Sequence, residues 1–254
     1  MLKAVIFDMD GTILDTETPE FVSWREAYAT LGVTLEQAVW AQAIGTSDSG
    51  WDPYVHLETL VGAPVDRAAI RAMRRARFDE LIAGADPRDG IVAWLDEARE
   101  FGLKVGLASS SRTAWVERFL DALGLRGRFD VLATRDRVTR SKPDPELYLL
   151  ALRELGVGAA EALAVEDSPN GVAAAKAAGL FCVAVPNPLT EGLALDGADV
   201  LLRALSERSI RQIADEIAAG SRPSQRRRRP GGSDGAITGH PAEGCRPPGG
   251  PEPE

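Results

Sequence analysis

The chain has 254 residues, of which 44% are hydrophobic and 26% charged, with a formal net charge of −9 and two cysteines. That length and apolar share support one sizeable buried core, while the acidic balance argues against general nucleic-acid binding, which needs a basic surface. Two cysteines argue against a disulfide framework, no run approaches the roughly 18 apolar residues of a membrane span, and no signal-peptide pattern opens the chain, so the expected setting is cytoplasmic, without a membrane partner.

In chain order, the first expected strand is "AVIFD" at residues 4–8, and it runs straight into "MDGT". Asp8 and Asp10 therefore stand two residues apart at a strand end. Side chains at i and i+2 of an extended segment share a face, so this pair can converge on one ligand. Two carboxylates placed so closely repel each other and resist burial. A hard divalent cation such as Mg2+ relieves both costs, because it takes oxygen ligands and favours their ionised form. Gly11 permits a sharp turn, and Thr12 offers a hydroxyl and an N–H to an anion. The plainer alternative is a strand ended by an Asp-Gly turn.

From residue 18 to 85 the pattern is helical without a convincing strand: "TPEFVSWREAYATLG", "TLEQAVWAQAIG" and "VDRAAIRAMRRARFDELIAG". This interval reads as an inserted helical cap. Leaving the core just after the first strand, it is expected above the carboxyl end of the sheet, where ligands bind in open α/β folds. Trp24 and Trp40 read as packing residues of the insert. Arg67, Arg71, Arg74, Arg75 and Arg77 read mostly as a solvated face, with one or two left as phosphate or sugar contacts.

Beyond the insert, short apolar runs alternate with amphipathic helices. The expected strands are "KVGLAS", "FDVLAT", "ALAVED" and "FCVAV", with "ADVLL" as a sixth at an edge. Between them, "TAWVERFLDALG" carries Val116, Phe119, Leu120 and Leu123 at helical spacing, and "DPELYLLALRELG" has Asp144 placed to cap and Pro145 in the first turn. The fold class is α/β, a Rossmann-like open parallel sheet with an inserted α-helical cap. Residues 1–17 and 86–220 form the core and 18–85 the cap. Residues 221–254 hold seven Pro and seven Gly and are expected to lack a fold. The run Arg226 to Arg229 reads as a solvated basic segment. The tail carries six basic and four acidic side chains, so residues 1–220 hold about −11.

Each expected strand end brings chemistry. Ser109, Ser110 and Ser111 follow the second strand as hydroxyl and N–H donors for phosphate oxygens. Lys142, just before a helix, can neutralise phosphoryl charge. Glu166 and Asp167 close a further strand as oxygen donors for a metal. Taken singly, these are a serine turn, a surface lysine and a helix cap.

Together, "DMDGT", "ASSS", "SKPDP" and "EDSPNG", in this order and spacing, resemble the four motifs of the haloacid dehalogenase superfamily, in its phosphatase branch with a small helical cap. The resemblance covers about residues 1 to 205. It implies that Asp8 is the nucleophile that becomes an aspartyl phosphate, and that Asp10 protonates the leaving oxygen and later activates water. It further implies Mg2+ held by Asp8, the Asp10 carbonyl and Asp167, with Glu166 one shell out. Ser109, Ser110 and Lys142 would hold the phosphoryl group, and Thr12 would position Asp10 or the phosphate.

Members of the superfamily that cleave carbon–halogen bonds generally lack an acid at the Asp10 position, so Asp10 implies phosphoryl chemistry on a small phosphorylated metabolite, plausibly a sugar phosphate. The sequence is also similar to the β-phosphoglucomutase-like group. Two positions depart from the mutases: Glu20 stands where a mutase histidine aligns, and Asp48 where a mutase arginine aligns. Hydrolysis is thus the first reading, a sugar phosphomutase the second, and a non-catalytic phospho-acceptor module the third. Chain order and the insert argue against the module.

Overall fold

The computed structural model describes residues 1–41, 44 and 50–220. The tail from 221, with its arginine run, and Asp48 lie outside the described residues. Six short apolar segments form one parallel sheet in the order β3-β2-β1-β4-β5-β6. They are β1 Ala4–Phe7, β2 Lys104–Ala108, β3 Val131–Ala133, β4 Ala162–Glu166, β5 Phe181–Ala184 and β6 Val200–Leu201. Phe7 of β1 is in register with Leu107 of β2 and Val165 of β4, so the carboxyl ends of these three strands are level. The chain runs outward from β1 to β3 and then crosses back to place β4 on the other side of β1. That reversal is the switch point at which open α/β sheets leave a crevice.

Alternation along the strands builds two apolar layers. Val5, Phe7, Val105, Leu107, Leu163 and Val165 face one cluster, completed by helices α5 Ile91–Glu100, α6 Thr113–Ala122 and α9 Ile210–Ala218. Ala4, Ile6, Ala108, Ala162, Ala164 and Cys182 face the other, covered by α7 Glu146–Leu155 and α8 Pro169–Ala177. The alanines on this second face let α8, itself bearing Ala174 and Ala175, approach the sheet closely. Burying each large apolar side chain on the first face is worth about 1.5–3 kcal/mol.

The expected strands appear in the expected places, shortened at the sheet edges: "FDVLAT" contributes three residues and "ADVLL" two. Helix α7 begins at Glu146, one residue beyond Pro145, and Asp144 still accepts the Glu146 N–H at 3.1 Å.

Between β1 and α5 lie α1 Glu17–Thr30, α2 Gln37–Trp40, α3 Pro53–Val61 and α4 Arg67–Ile82, with no strand among the described residues. Helix α2 is far shorter than the "TLEQAVWAQAIG" pattern suggests, and α3 is absent from the sequence reading. Its signals were present: the Asp52 carboxylate accepts the Tyr54 and Val55 N–H groups, Pro53 opens the helix, and Gly62 closes it at φ +77°. The insert has its own apolar cluster around Phe21, Trp24, Tyr28, Trp40 and Ile70, as expected for the two tryptophans. Helix α4 is shared, since Ile70 joins that cluster whereas Phe78 and Ile82 join the cluster of the sheet. Among the described residues no helix is long and apolar enough to cross a membrane.

Candidate active site

Asp8 follows β1 directly, and its N–H donates to the Val165 carbonyl at 2.9 Å, so the sheet ladder fixes its backbone. Lys142 Nζ donates to Asp8 Oδ1 and to Glu166 Oε1, the latter at 2.6 Å. This lysine is 1% exposed, so it is no surface charge. Glu166 Oε1 also accepts from the Tyr148 hydroxyl at 2.6 Å, and Oε2 from the Asp167 N–H at 3.2 Å. Asp167 accepts from Asn187 Nδ2 at 2.6 Å and from the Thr12 hydroxyl at 3.4 Å. One carboxylate oxygen from each of Asp8, Glu166 and Asp167 lies within 4.8 Å of the others, and all three residues are buried.

Three buried carboxylates against one lysine leave an excess of negative charge. Burial pushes the Asp8 carboxyl up to about 7 against the pull of Lys142, with Glu166 and Asp10 adding to the rise. Asp167 is held well above the usual carboxylate range by burial and then by Asp8 and Glu166, with Arg88 opposing. Burial alone would lower the Lys142 ammonium, but Asp8 and Glu166 together raise it above its ordinary value. An all-oxygen cluster that resists ionisation until a positive charge arrives fits a hard divalent cation such as Mg2+. Asp8 and Asp167 could hold such an ion, whereas Glu166 is already engaged by Lys142 and Tyr148.

Two glycines make room for this cluster. Gly11 has φ +81°, and a Cβ there would stand 2.2 Å from Asp167 Oδ2. A Cβ on Gly171 would stand 1.9 Å from Glu166 Oε2. Neither position tolerates a side chain unless a carboxylate moves.

Asp10 is gripped by four donors. Its Oδ1 accepts from the Thr16 hydroxyl at 2.8 Å and the Trp115 indole N–H at 2.7 Å, and its Oδ2 from the Ser111 and Ser109 hydroxyls at 2.6 and 3.3 Å. The hydroxyl of Thr12 turns to Asp167 instead, so Thr16 is the threonine that orients Asp10. Thr16, Ser111 as an Asp10 partner, Trp115, Tyr148, Asn187 and Arg88 were not identified from sequence. Arg88 clamps the turn by donating to the Gly11 carbonyl and to the Val185 and Pro186 carbonyls at 2.8 and 2.7 Å.

Ser110 and Ser111 open onto a cleft of about 920 Å³ whose other walls include Trp115, Arg75, Arg112, Arg118 and Arg135. Arg118 of this cleft pairs with Asp79 at 2.7 Å, and within the insert Arg67 pairs with Glu58, Arg77 with Glu26 and Glu80, and Arg74 with Glu20 at 2.7 Å. Arg74 also lies over the Trp24 ring, 4.7 Å from its centroid. Glu20 therefore ties α1 to α4.

A family model described as haloacid dehalogenase-like hydrolase matches residues 2–179. YhcW of Bacillus subtilis, whose name assigns it provisionally to the phosphatases, is 43% identical over 217 residues, covering 85% of this chain and 98% of its own. The validoxylamine A 7'-phosphate phosphatase of Streptomyces hygroscopicus is 32% identical over 209 residues, covering 82% and 96%. Among solved structures, CbbY from Rhodobacter sphaeroides in complex with phosphate superposes with a TM-score of 0.65 at 33% identity, over 82% of this chain and 96% of that one.

Proposed function

Because the chain belongs to the haloacid dehalogenase-like hydrolases, we propose that it is a Mg2+-dependent phosphatase that hydrolyses a small phosphorylated metabolite through a phosphorylated Asp8. The observation that carries this reading is the buried Asp8–Lys142–Glu166–Asp167 cluster at the carboxyl end of β1, with Asp10 gripped beside it.

Lys142 engages Oδ1 of Asp8, so attack on phosphorus falls to Oδ2. The Asp8–phosphorus bond forms as the bond to the leaving oxygen breaks, and Asp10 gives that oxygen its proton. In the second half, Asp10 takes a proton from water as the water oxygen attacks phosphorus. Asp8 then leaves as carboxylate, and inorganic phosphate is released. Lys142 and the Ser109 and Ser110 groups neutralise and position the phosphoryl oxygens throughout. A bound Mg2+ supplies charge that lets Asp8 remain ionised and offsets the phosphoryl oxygens. The helical insert of residues 18–85 acts as the cap, and the arginine-walled cleft receives the part of the substrate that does not react.

Glu20 favours hydrolysis over mutase chemistry. A mutase must hold a sugar bisphosphate in two orientations and keep water from its aspartyl phosphate. Here the aligned position carries a carboxylate committed to Arg74. That pairing offsets the Glu20 charge, so the argument rests on the missing basic group more than on repulsion. The test supplies β-glucose 1-phosphate with Mg2+ and catalytic glucose 1,6-bisphosphate, and follows both products. Free phosphate without glucose 6-phosphate is expected; glucose 6-phosphate forming much faster than phosphate would replace the phosphatase by the mutase.

A further inference from the structure

Trp115 occupies the first turn of α6, and its indole N–H reaches Asp10 Oδ1 at 2.7 Å. Its ring is held on two sides. Phe119, one turn on, meets it edge to face at 4.8 Å, and Phe78 of α4 lies 5.4 Å away at 37°. Phe78 is 3% exposed and belongs to the part of α4 that packs into the cluster of the sheet. A small cavity of about 160 Å³ lies against the same contact, lined among others by Arg74, Phe78, Trp115 and Arg118. The carboxylate, the indole and the insert helix thus form one unbroken line of contacts.

We propose that Trp115 is a positioning residue for Asp10: its N–H fixes the orientation of the acid, and Phe78 makes that orientation depend on how helix α4 is seated. The physical case is geometric. Thr16 and the two serines are small hydroxyl rotors, free to turn their donors elsewhere. The indole is a donor only, and its direction is set by a rigid ring wedged between two phenyl groups. Thr16 caps α1 at the root of the insert, but of the four donors on Asp10 the indole is the one whose direction is braced by an aromatic side chain of α4. Movement of α4 that withdraws Phe78 frees the indole to swing and loosens Asp10. A seated α4 presents the acid at a fixed angle to the leaving oxygen, which is the geometry that proton transfer demands.

This inference rests on the reading of Asp10 as the general acid, and the experiment separates the two. Trp115→Phe keeps an aromatic ring against Phe78 and Phe119 but deletes the donor, and Phe78→Leu keeps apolar volume but removes the ring that braces the indole. For each variant, kcat/KM is measured with phenyl phosphate, whose leaving group needs a proton, and with 2,4-dinitrophenyl phosphate, whose leaving group does not. The ratio of the two is read on the same protein, so any loss of folded fraction cancels. For Trp115→Phe, phenyl phosphate should lose about tenfold and dinitrophenyl phosphate less than about threefold, a fraction of the ~10² or more that a whole acid contributes. Phe78→Leu should show the same bias at about threefold. Asp10→Asn is the reference. A biased loss in Asp10→Asn with an even loss, or none, in Trp115→Phe overturns the role of Trp115 alone. An unbiased Asp10→Asn overturns the acid reading and the proposal with it.

Discussion

The carboxyl end of the sheet and the helical insert use charge in opposite ways. At the sheet end, Lys142, Glu166 and Asp167 are each no more than 1% exposed, and every one is held by a specific partner. In the insert, the Arg67–Glu58 and Arg77–Glu26 pairs lie on the surface with side chains 24–46% exposed. Charges buried at such density lower stability unless they are paired or bind a cation, whereas exposed pairs add little. The sheet end gathers its charges into one buried, mutually bonded cluster, whereas the insert leaves its pairs on the surface, where they serve solubility and local packing. Glu20–Arg74 is the intermediate case, half-buried and stacked on Trp24.

The contrast breaks most visibly at Asp8. Asp8→Asn should retain its fold and lose at least ~10² in turnover, since both the nucleophile and the Lys142 pair are altered. Circular dichroism paired with a phosphate-release assay checks both halves. Retention of more than about a hundredth of the rate would remove Asp8 from the chemistry.

Next in size is Gly171→Ala, which drives a methyl into Glu166 Oε2. Overpacking of this kind costs about 1–3 kcal/mol, read by urea unfolding, and activity should fall with it because Glu166 anchors Lys142.

A third test uses pH. The Asp8 carboxyl rises from its ordinary 3.8 to about 7 in the folded chain, and Asp167 moves the same way. Between those values the folded chain keeps a proton that the unfolded chain has released. Stability of the metal-free protein should therefore fall as pH rises from about 4 to about 7. The Asp136 carboxyl, lowered to about 2 by hydrogen bonds from Thr134 and Thr113, acts below this window. Added Mg2+ should raise Tm, and more at pH 8 than at pH 5. A metal-free Tm that climbs steadily across the window would contradict the buried-acid account.

The smallest effect belongs to the insert surface. Arg67→Ala and Arg77→Ala should each shift Tm by no more than ~2 °C and leave turnover unchanged, as exposed pairs do. A large loss of activity in either would make the insert surface part of the site.

The sheet and its acids were legible because two apolar runs end in a pair of acids, which is rare without a reason, and these agreed in order and spacing with the serine turn and the lysine segment between them. What stayed hidden depends on long-range approach. Trp115 reads as one apolar position of an amphipathic helix, and nothing local announces that its N–H meets a carboxylate 105 residues earlier. Asn187 reads as a loop residue, although its amide secures Asp167 and its own oxygen accepts the Leu189 and Thr190 N–H groups. Arg88 is one arginine among many until three carbonyls converge on it. Thr12 and Thr16 are chemically alike in the sequence, and only the folded turn between β1 and α1 shows that Thr12 meets Asp167 and Thr16 meets Asp10. Helix α3 was missed because its apolar pattern is weak, although its capping residues were in plain view.

In the proposed reaction Asp8 accepts the phosphoryl group and passes it to water. The measurement that addresses it most directly is acid quenching of the protein with Mg2+ and a phosphatase substrate carrying labelled phosphate, followed by peptide mapping. Label is expected on the peptide containing Asp8, discharged as free phosphate when the unquenched protein is left in water, and absent from Asp8→Asn. Phosphate release at the full rate with no label on that peptide, or label elsewhere that persists in Asp8→Asn, would contradict it.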